Sequence, residues 1–163
     1  SKLEDTGFCN DRTYSNFNSS GWNKDYSNYD KWLYFSSMPR LSNRKFSLVC
    51  PRQLDKFSVS TNNGNGVLTY PVGMITAEEI AYAGAVIWQT NTSYYLYNGV
   101  NNWFFSPYHF YGWGAHEFFL ASDGYFGGDY VTAAWGVRPT ISLKQGTVLS
   151  SGNGTATSPY IVE

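Results

Sequence analysis

The chain has 163 residues and a net charge of −1, with 42% hydrophobic, 19% aromatic and only 14% charged residues. That length suits a single domain with a core of its own. It contains no run of about 18 apolar residues, so nothing in it reads as a membrane-spanning helix. Tyr, Asn, Ser, Thr and Gly supply most of the polar surface, a mix that disfavours long helices and favours strands and turns.

The charge is unevenly placed. Residues 1–56 carry nine Lys/Arg and six Asp/Glu. Residues 57–137 carry no Lys or Arg and five acids: Glu78, Glu79, Glu117, Asp123 and Asp129. Residues 138–163 carry Arg138, Lys144 and Glu163. Nucleic-acid binding draws most of its affinity from Lys and Arg on phosphates, so this pattern argues against a nucleic-acid partner. The expected organisation is one domain over 1–163, with a basic, loop-rich part at 1–56 and an aromatic-rich part at 94–143.

In chain order, Cys9 and Cys50 come first. They are either two buried thiols or a disulfide closing a loop of about 40 residues, worth roughly 3–4 kcal/mol. A chain so rich in Asn, Tyr and Ser reads as extracellular, which favours the disulfide. No Cys/His spacing suggests zinc. Residues 10–31 are polar and turn-rich and read as irregular surface. Residues 53–60 alternate Leu54, Phe57 and Val59 with polar neighbours and predict a short strand. A loop at 61–66 leads to an extended segment at 67–75, interrupted by Pro71.

The clearest helix is predicted at about 76–84. Thr76 is a good N-cap, Glu79 stands at the capping-box position, and Gly84 is a natural stop. Glu78 and Glu79 suit a helix N-terminus and read as structural. Beyond it, 92–99 predicts a short strand ending in Asn98-Gly99. Residues 117–128 predict a hairpin turning at Asp123-Gly124. Residues 135–143 alternate Val137, Pro139, Ile141 and Leu143 with their neighbours and are expected to end in a buried strand. Arg138, beside an acidic region, reads as an ion-pair partner. Residues 158–163 predict a last strand pairing near the start of the domain.

Catalytic signatures are lacking. His109 and His116 have no acid or serine at motif spacing, and no P-loop, GxSxG or HExxH occurs. Residues 124–128 are glycine-rich but do not open a helix, so they do not predict a phosphate cradle. Asp123 and Asp129 read as a turn residue and a solvated acid rather than calcium ligands. The sequons at Asn18, Asn91 and Asn153 are expected by chance in an Asn-rich chain. No cofactor and no metal site is expected.

The aromatic content carries the functional signal. Residues 101–119 hold nine aromatics, and residues 94–135 hold sixteen, with no Lys or Arg among them. Trp103, Phe110 and Phe118 suit a core. The remainder exceed what one small core buries and predict an interaction surface. Tyr and Trp among Ser, Gly and Asn is also the composition of antibody binding loops, where rigid rings supply contact area at low entropic cost.

The stretches YPVGMITAEEIAYAG, TNTSYYLYNG, Trp103 with Ser106-Pro107, SDG at 122–124 and WGVRPTISL, with FCNDR at 8–12 and the SGNGTATSPYIVE tail, resemble surface domains of Firmicutes and related bacteria. Many of those follow pilin-like N-terminal helices. The closing GVRP segment also resembles the end of the C-type-lectin-like, formylglycine-generating-enzyme-like fold, which variable proteins of diversity-generating retroelements use. The resemblance implies an α+β fold with short antiparallel strands and long irregular loops. It implies a non-enzymatic ligand-display protein on a cell surface or pilus, or on a phage virion, reached through a segment removed from its N-terminus. Its partner would be a protein or glycan on another cell or phage.

The contact residues so implied are Asn101, Asn102, Phe104, Tyr108, His109, Tyr111, His116, Phe119, Tyr125, Phe126, Asp129, Tyr130 and Thr132, with Trp113 and Trp135 as fixed anchors and Glu117 beside them. Adenine mutagenesis in such systems does not produce Lys, Gln, Glu, Met or Trp. Residues 100–135 lack Lys, Gln and Met, and Glu117, Trp103, Trp113 and Trp135 would be fixed positions. Two patterns of the wider fold families are missing. No Glu-Pro-Asn calcium triplet occurs, and both cysteines fall in the first third, so neither calcium-dependent sugar binding nor formylglycine generation carries over. Two other roles remain open: a structural minor pilin or phage fibre tip, and a glycan-active enzyme using Glu117 with Asp123 or Asp129.

Overall fold

A computed structural model describes residues 2–15, 32–112, 114–155 and 157–163, without the side chains of Trp32 and Tyr111. Most of the irregular segment expected at 10–31, and Trp113, lie outside the described residues. The architecture is α+β, with much short strand and little helix. In chain order the elements are β1 (Leu3–Glu4), β2 (Phe8–Cys9), β3 (Trp32–Tyr34), α1 (Ser37–Ser42), a 3₁₀ turn (Gln53–Asp55), β4 (Lys56–Phe57), β5 (Gly73–Met74), α2 (Ala77–Tyr82), β6 (Asn102–Tyr111), β7 (Gly114–Leu120), β8 (Phe126–Tyr130), β9 (Pro139–Thr140), β10 (Ser142–Leu143), β11 (Leu149–Ser151) and β12 (Ile161–Val162).

The organising unit is an antiparallel sheet in the order β3-β6-β7-β8. β6 is ten residues long because Trp, Phe and Tyr all suit a pleated, half-buried surface. Pro107 has no N–H to give the ladder and sits between two register shifts. One face of the sheet carries Phe104, Tyr108, Phe118, Leu120 and Phe126. These close a core with Met38 and Leu41 of α1 and with Ala77, Ile80 and Ala81 of α2.

α2 forms as its local chemistry demands. Glu79 N–H donates to Thr76 Oγ1 at 3.2 Å, and Thr76 N–H donates to Glu79 Oε2 at 2.7 Å, the reciprocal capping box. Gly84 follows at φ +124, a conformation that L side chains rarely adopt. Glu78 is structural as expected, but through burial. It is 5% exposed and bonded to Arg40 Nε at 2.7 Å and Ser37 Oγ at 3.2 Å.

The Cys9–Cys50 disulfide forms and fastens the segment after α1 to β2. It closes a loop of 41 positions, so replacing both cysteines by serine should lower stability by about 2–4 kcal/mol. Urea midpoints with and without reductant measure this, and coincident curves would show that the bridge constrains nothing.

Several expectations are corrected. Residues 92–99 form turns, not a strand, with Tyr97 N–H bonded back to Tyr94 O. Residues 53–60 hold a 3₁₀ turn and a two-residue strand. Residues 135–143 are not a buried strand. They split into β9 and β10, and Val137, Ile141 and Leu143 are exposed. β12 pairs with β11, while the start of the domain, β1, pairs with β10. Arg138 bonds the carbonyl of Leu96 at 2.7 Å and makes no ion pair among the described residues.

Candidate functional site

The expected contact residues do not form one surface. Cross-strand partners point to the same side of a sheet, so the register sorts them. One side joins Leu120 to Phe126, Phe118 to Gly128 and His116 to Tyr130. This is the core side. The other side joins Trp103 to Phe119 to Gly127 in one row, and Pro107 to Glu117 to Asp129 in the next.

On the core side, Asn102, Phe104, Tyr108, His109, His116 and Phe126 are all buried and offer a ligand no surface. Phe104 and Phe126 meet edge to face at 5.6 Å in the centre of the core. Asn102 bonds the Val100 carbonyl at 2.7 Å and braces the preceding turn. A register shift between Pro107 and His109 places Tyr108 and His109 on the same face, with their rings 4.5 Å apart. His109 stacks on His116 at 4.0 Å, and His116 lies 3.8 Å from the ring of Tyr130. Burial drives the His109 pKa down to about 3 and lowers that of His116, so both rings are neutral near pH 7. Tyr130 caps this stack from the exposed end, accommodated by Gly114, where a Cβ would meet its ring. Phe110, expected in the core, is 45% exposed because the register shift turns it outward beside Ala115.

The outward side is different. Phe119 is its floor. Trp135 stacks parallel on Phe119 at 5.7 Å, and Trp103 and Tyr125 flank it at 6.3 Å each. Tyr125 reaches over the sheet because Gly127 has no Cβ, which would stand 2.6 Å from its ring. Trp103, Tyr125 and Trp135 are half-buried, with part of each surface open to solvent. Trp135 Nε1 donates to Asp129 Oδ2 at 2.9 Å, and the backbone N–H of Tyr130 donates to Asp129 Oδ1 at 2.8 Å. Thr132 is exposed after β8. Asn101 is half-buried and caps Ser122 N–H at 2.6 Å, so it works as a brace. Tyr111, whose side chain is not described, and Trp113 are not placed.

Glu117 is the group the fold leaves unexplained. It lies in this face opposite Asp129, and among the described residues its carboxyl makes no hydrogen bond and no ion pair. Burial alone pushes its carboxyl up to about 7. Its pKa in the fold lies above the ordinary carboxylate value, so the contribution of this group to stability is fullest in acid and is lost as pH rises from about 4.5 towards 7. The loss reaches roughly 3 kcal/mol above that window. Glu117→Gln should therefore gain about that much on the wild type between pH 4 and pH 8, in urea midpoints read at both. A parallel pH dependence in the two proteins would mean that the carboxyl is already compensated. A side chain that destabilises its own fold at neutral pH is characteristic of functional sites.

A cavity elsewhere in the fold is built from different chemistry. A cavity of about 340 Å³ is bounded by Asp11, Ser37, Arg40, Thr76, Glu78 and Ser106. Its size suits a small ligand, yet its polar groups satisfy one another. Arg40 bonds Glu78 and Asp11, Ser106 Oγ accepts from Ala77 N–H at 3.0 Å, and Thr76 and Glu79 cap α2. These bonds tie α1 and α2 to the N-terminal segment. Among the described residues, no group of three or more His, Cys, Asp or Glu is placed to hold a metal ion.

Trp103 was assignable from sequence only as scaffold, yet it lies on the open face. The signal was present in the odd positions of β6, Trp103, Phe105 and Pro107, which share the outward side until the shift before His109. No protein family model, no curated protein and no solved structure matches the chain.

Proposed function

We propose that this is a ligand-binding display domain, of C-type-lectin-like type, that presents the outward face of β6–β7–β8 to a protein or glycan on another cell or phage. One observation carries this reading: Trp103, Phe119, Tyr125 and Trp135 run ring to ring across an open sheet face that also holds an uncompensated carboxyl, Glu117. Rigid rings with little side-chain entropy to lose are the usual energetic centre of binding surfaces. The disulfide supports an extracellular, cell-surface, pilus or virion setting. Diversification by a retroelement would fall on exposed or half-exposed positions such as Tyr125, Asp129, Tyr130 and Thr132, and not on the core residues Phe104 and Phe126. Probing peptide and glycan arrays with the labelled domain tests the reading. A ligand retained by the wild type and lost by a variant lacking Trp103, Tyr125 and Trp135 supports it, and equal retention by both contradicts it.

A separate observation favours the structural role of a pilin or fibre tip. Val137, Ile141, Val148, Leu149, Tyr160 and Ile161 are all exposed on the C-terminal segments, an apolar surface suited to a neighbouring subunit. A monomeric mass by size exclusion with light scattering at high concentration would count against self-association through it.

A further inference from the structure

Resting on the binding reading above, we infer that the group taken by the outward face is a guanidinium, the arginine side chain of a partner protein, seated against Trp103 and Trp135 with Glu117 as its counter-charge. Three observations converge on this ligand chemistry.

The first is charge. Residues 57–137 hold five acids and no Lys or Arg, so this stretch supplies no cation to the face. Arg138, the next cation along the chain, is held by the Leu96 carbonyl. A carboxyl without a counter-ion in a partly desolvated site is complementary to an incoming positive charge.

The second is hydrogen-bonding type. The indole N–H of Trp135 is already bonded to Asp129. Beside these rings the other polar groups are the Trp103 indole N–H, the Tyr125 hydroxyl and the carboxylates of Asp129 and Glu117, so acceptor oxygens outnumber donors, and the Glu117 carboxyl makes no hydrogen bond among the described residues. A sugar presents hydroxyls that donate and accept and is best met by a mixture of both. A guanidinium only donates, through five N–H groups in a planar fork that matches a carboxylate.

The third is shape. Trp135 and Phe119 stack parallel, and the half-buried Trp103 and Tyr125 stand beside them, so rings line this part of the face. Guanidinium is weakly hydrated and stacks on aromatic faces, whereas a lysine ammonium keeps its water more strongly. The face therefore favours arginine over lysine.

Among the described residues, Asp129 on β8 is the titratable neighbour that faces Glu117 in its own row, with Pro107 on the β6 side. His116 is adjacent in sequence but points into the core. Arginine binding should consequently lower the Glu117 midpoint from about 7 and release a proton near neutral pH.

The test is an NMR titration that tracks the indole N–H signals of Trp103 and Trp135. The probes are capped tripeptides differing only in a central arginine, lysine or citrulline, and methyl glycosides of glucose and N-acetylglucosamine. The expected result is binding of the arginine peptide at millimolar concentration, at least tenfold tighter than its neutral citrulline counterpart and tighter than the lysine peptide. Glu117→Gln, which should fold at least as well as the wild type, should weaken the arginine peptide about tenfold and leave citrulline unchanged. Citrulline matching arginine, Glu117→Gln without effect, or no response to arginine at all overturns the inference. A glycoside response without an arginine response overturns it too, and leaves the binding reading standing. The binding reading itself falls only if the variant lacking Trp103, Tyr125 and Trp135 retains an array-selected ligand as well as the wild type.

Discussion

Arg40→Ala is expected to cost 3–5 kcal/mol of stability, roughly the cost of breaking a buried ion pair from one side. Arg40 lies on α1 and reaches two buried carboxylates. Its NH2 is 2.9 Å from Asp11 Oδ2 and 2.6 Å from Glu78 Oε1, and its Nε donates to Glu78 at 2.7 Å. Asp11 is 3% exposed and Glu78 5%. Removing the guanidinium leaves two acids facing each other with little water to separate them.

The pair is already under tension. Burial pushes the Glu78 carboxyl above its ordinary value even though Arg40 pulls it back. Burial also opposes the charge on Arg40, which is partly exposed, and there its two acidic partners prevail and raise its pKa. Burial prevails at Glu78 because it is the more enclosed partner. The deficit of the Ala variant should therefore shrink in acid, as the stranded Glu78 carboxyl takes up a proton, and be largest at neutral pH and above. Arg40→Lys should recover only part, since an ammonium cannot serve both carboxylates with a planar fork. Chemical denaturation at pH 4 and pH 8 reads all of this. A loss below about 1 kcal/mol at pH 8 would show that the network is not holding α1 to α2 and the N-terminal segment.

The second large effect concerns binding. Replacing Trp103, Tyr125 and Trp135 together by alanine should weaken an array-selected ligand at least a hundredfold, since each ring in such a centre typically contributes about 1–2 kcal/mol or more. The fold should survive, because Phe119 remains as floor and the core on the opposite face, around Phe104, Phe118 and Phe126, is untouched. The melting temperature should stay within several degrees. Global unfolding would show that the outward rings are a second core and not a presented surface.

How legible was this in the sequence? α2 was, because Thr76 and Glu79 make its start a local matter of two hydrogen bonds. The β7–β8 hairpin was, because Asp123-Gly124 announces the turn, with Gly124 at φ +89. The disulfide was favoured by composition. α1 was missed, since six residues, Ser37–Ser42, with Pro39 in the first turn offer only one apolar pair at helical spacing, Met38 and Leu41. The division of the aromatic segment was missed for a deeper reason. Strand alternation separates inside from outside only when the two sides differ in polarity, and β6 carries rings on both. Trp103 and Phe104 are neighbours of the same class, yet one is half-open and the other is 1% exposed. The shift before His109 then reverses the parity of the last residues of β6. Asp129 and Trp135 were named as contacts, but their bond to each other depends on the loop after β8, which no local rule predicts. Gly127 and Gly128 were the usable hint. Each is small because a ring lies where its Cβ would be, Tyr125 on one side of the sheet and Tyr108 on the other.

The most direct test is a hydrogen-exchange and hydroxyl-radical footprint of the domain with and without its array-selected ligand. Binding through the outward face predicts protection confined to Trp103, Tyr125, Trp135 and the β7–β8 backbone around Glu117 and Asp129. Protection of Val148, Leu149, Tyr160 and Ile161 instead, with the outward face unchanged, would contradict it.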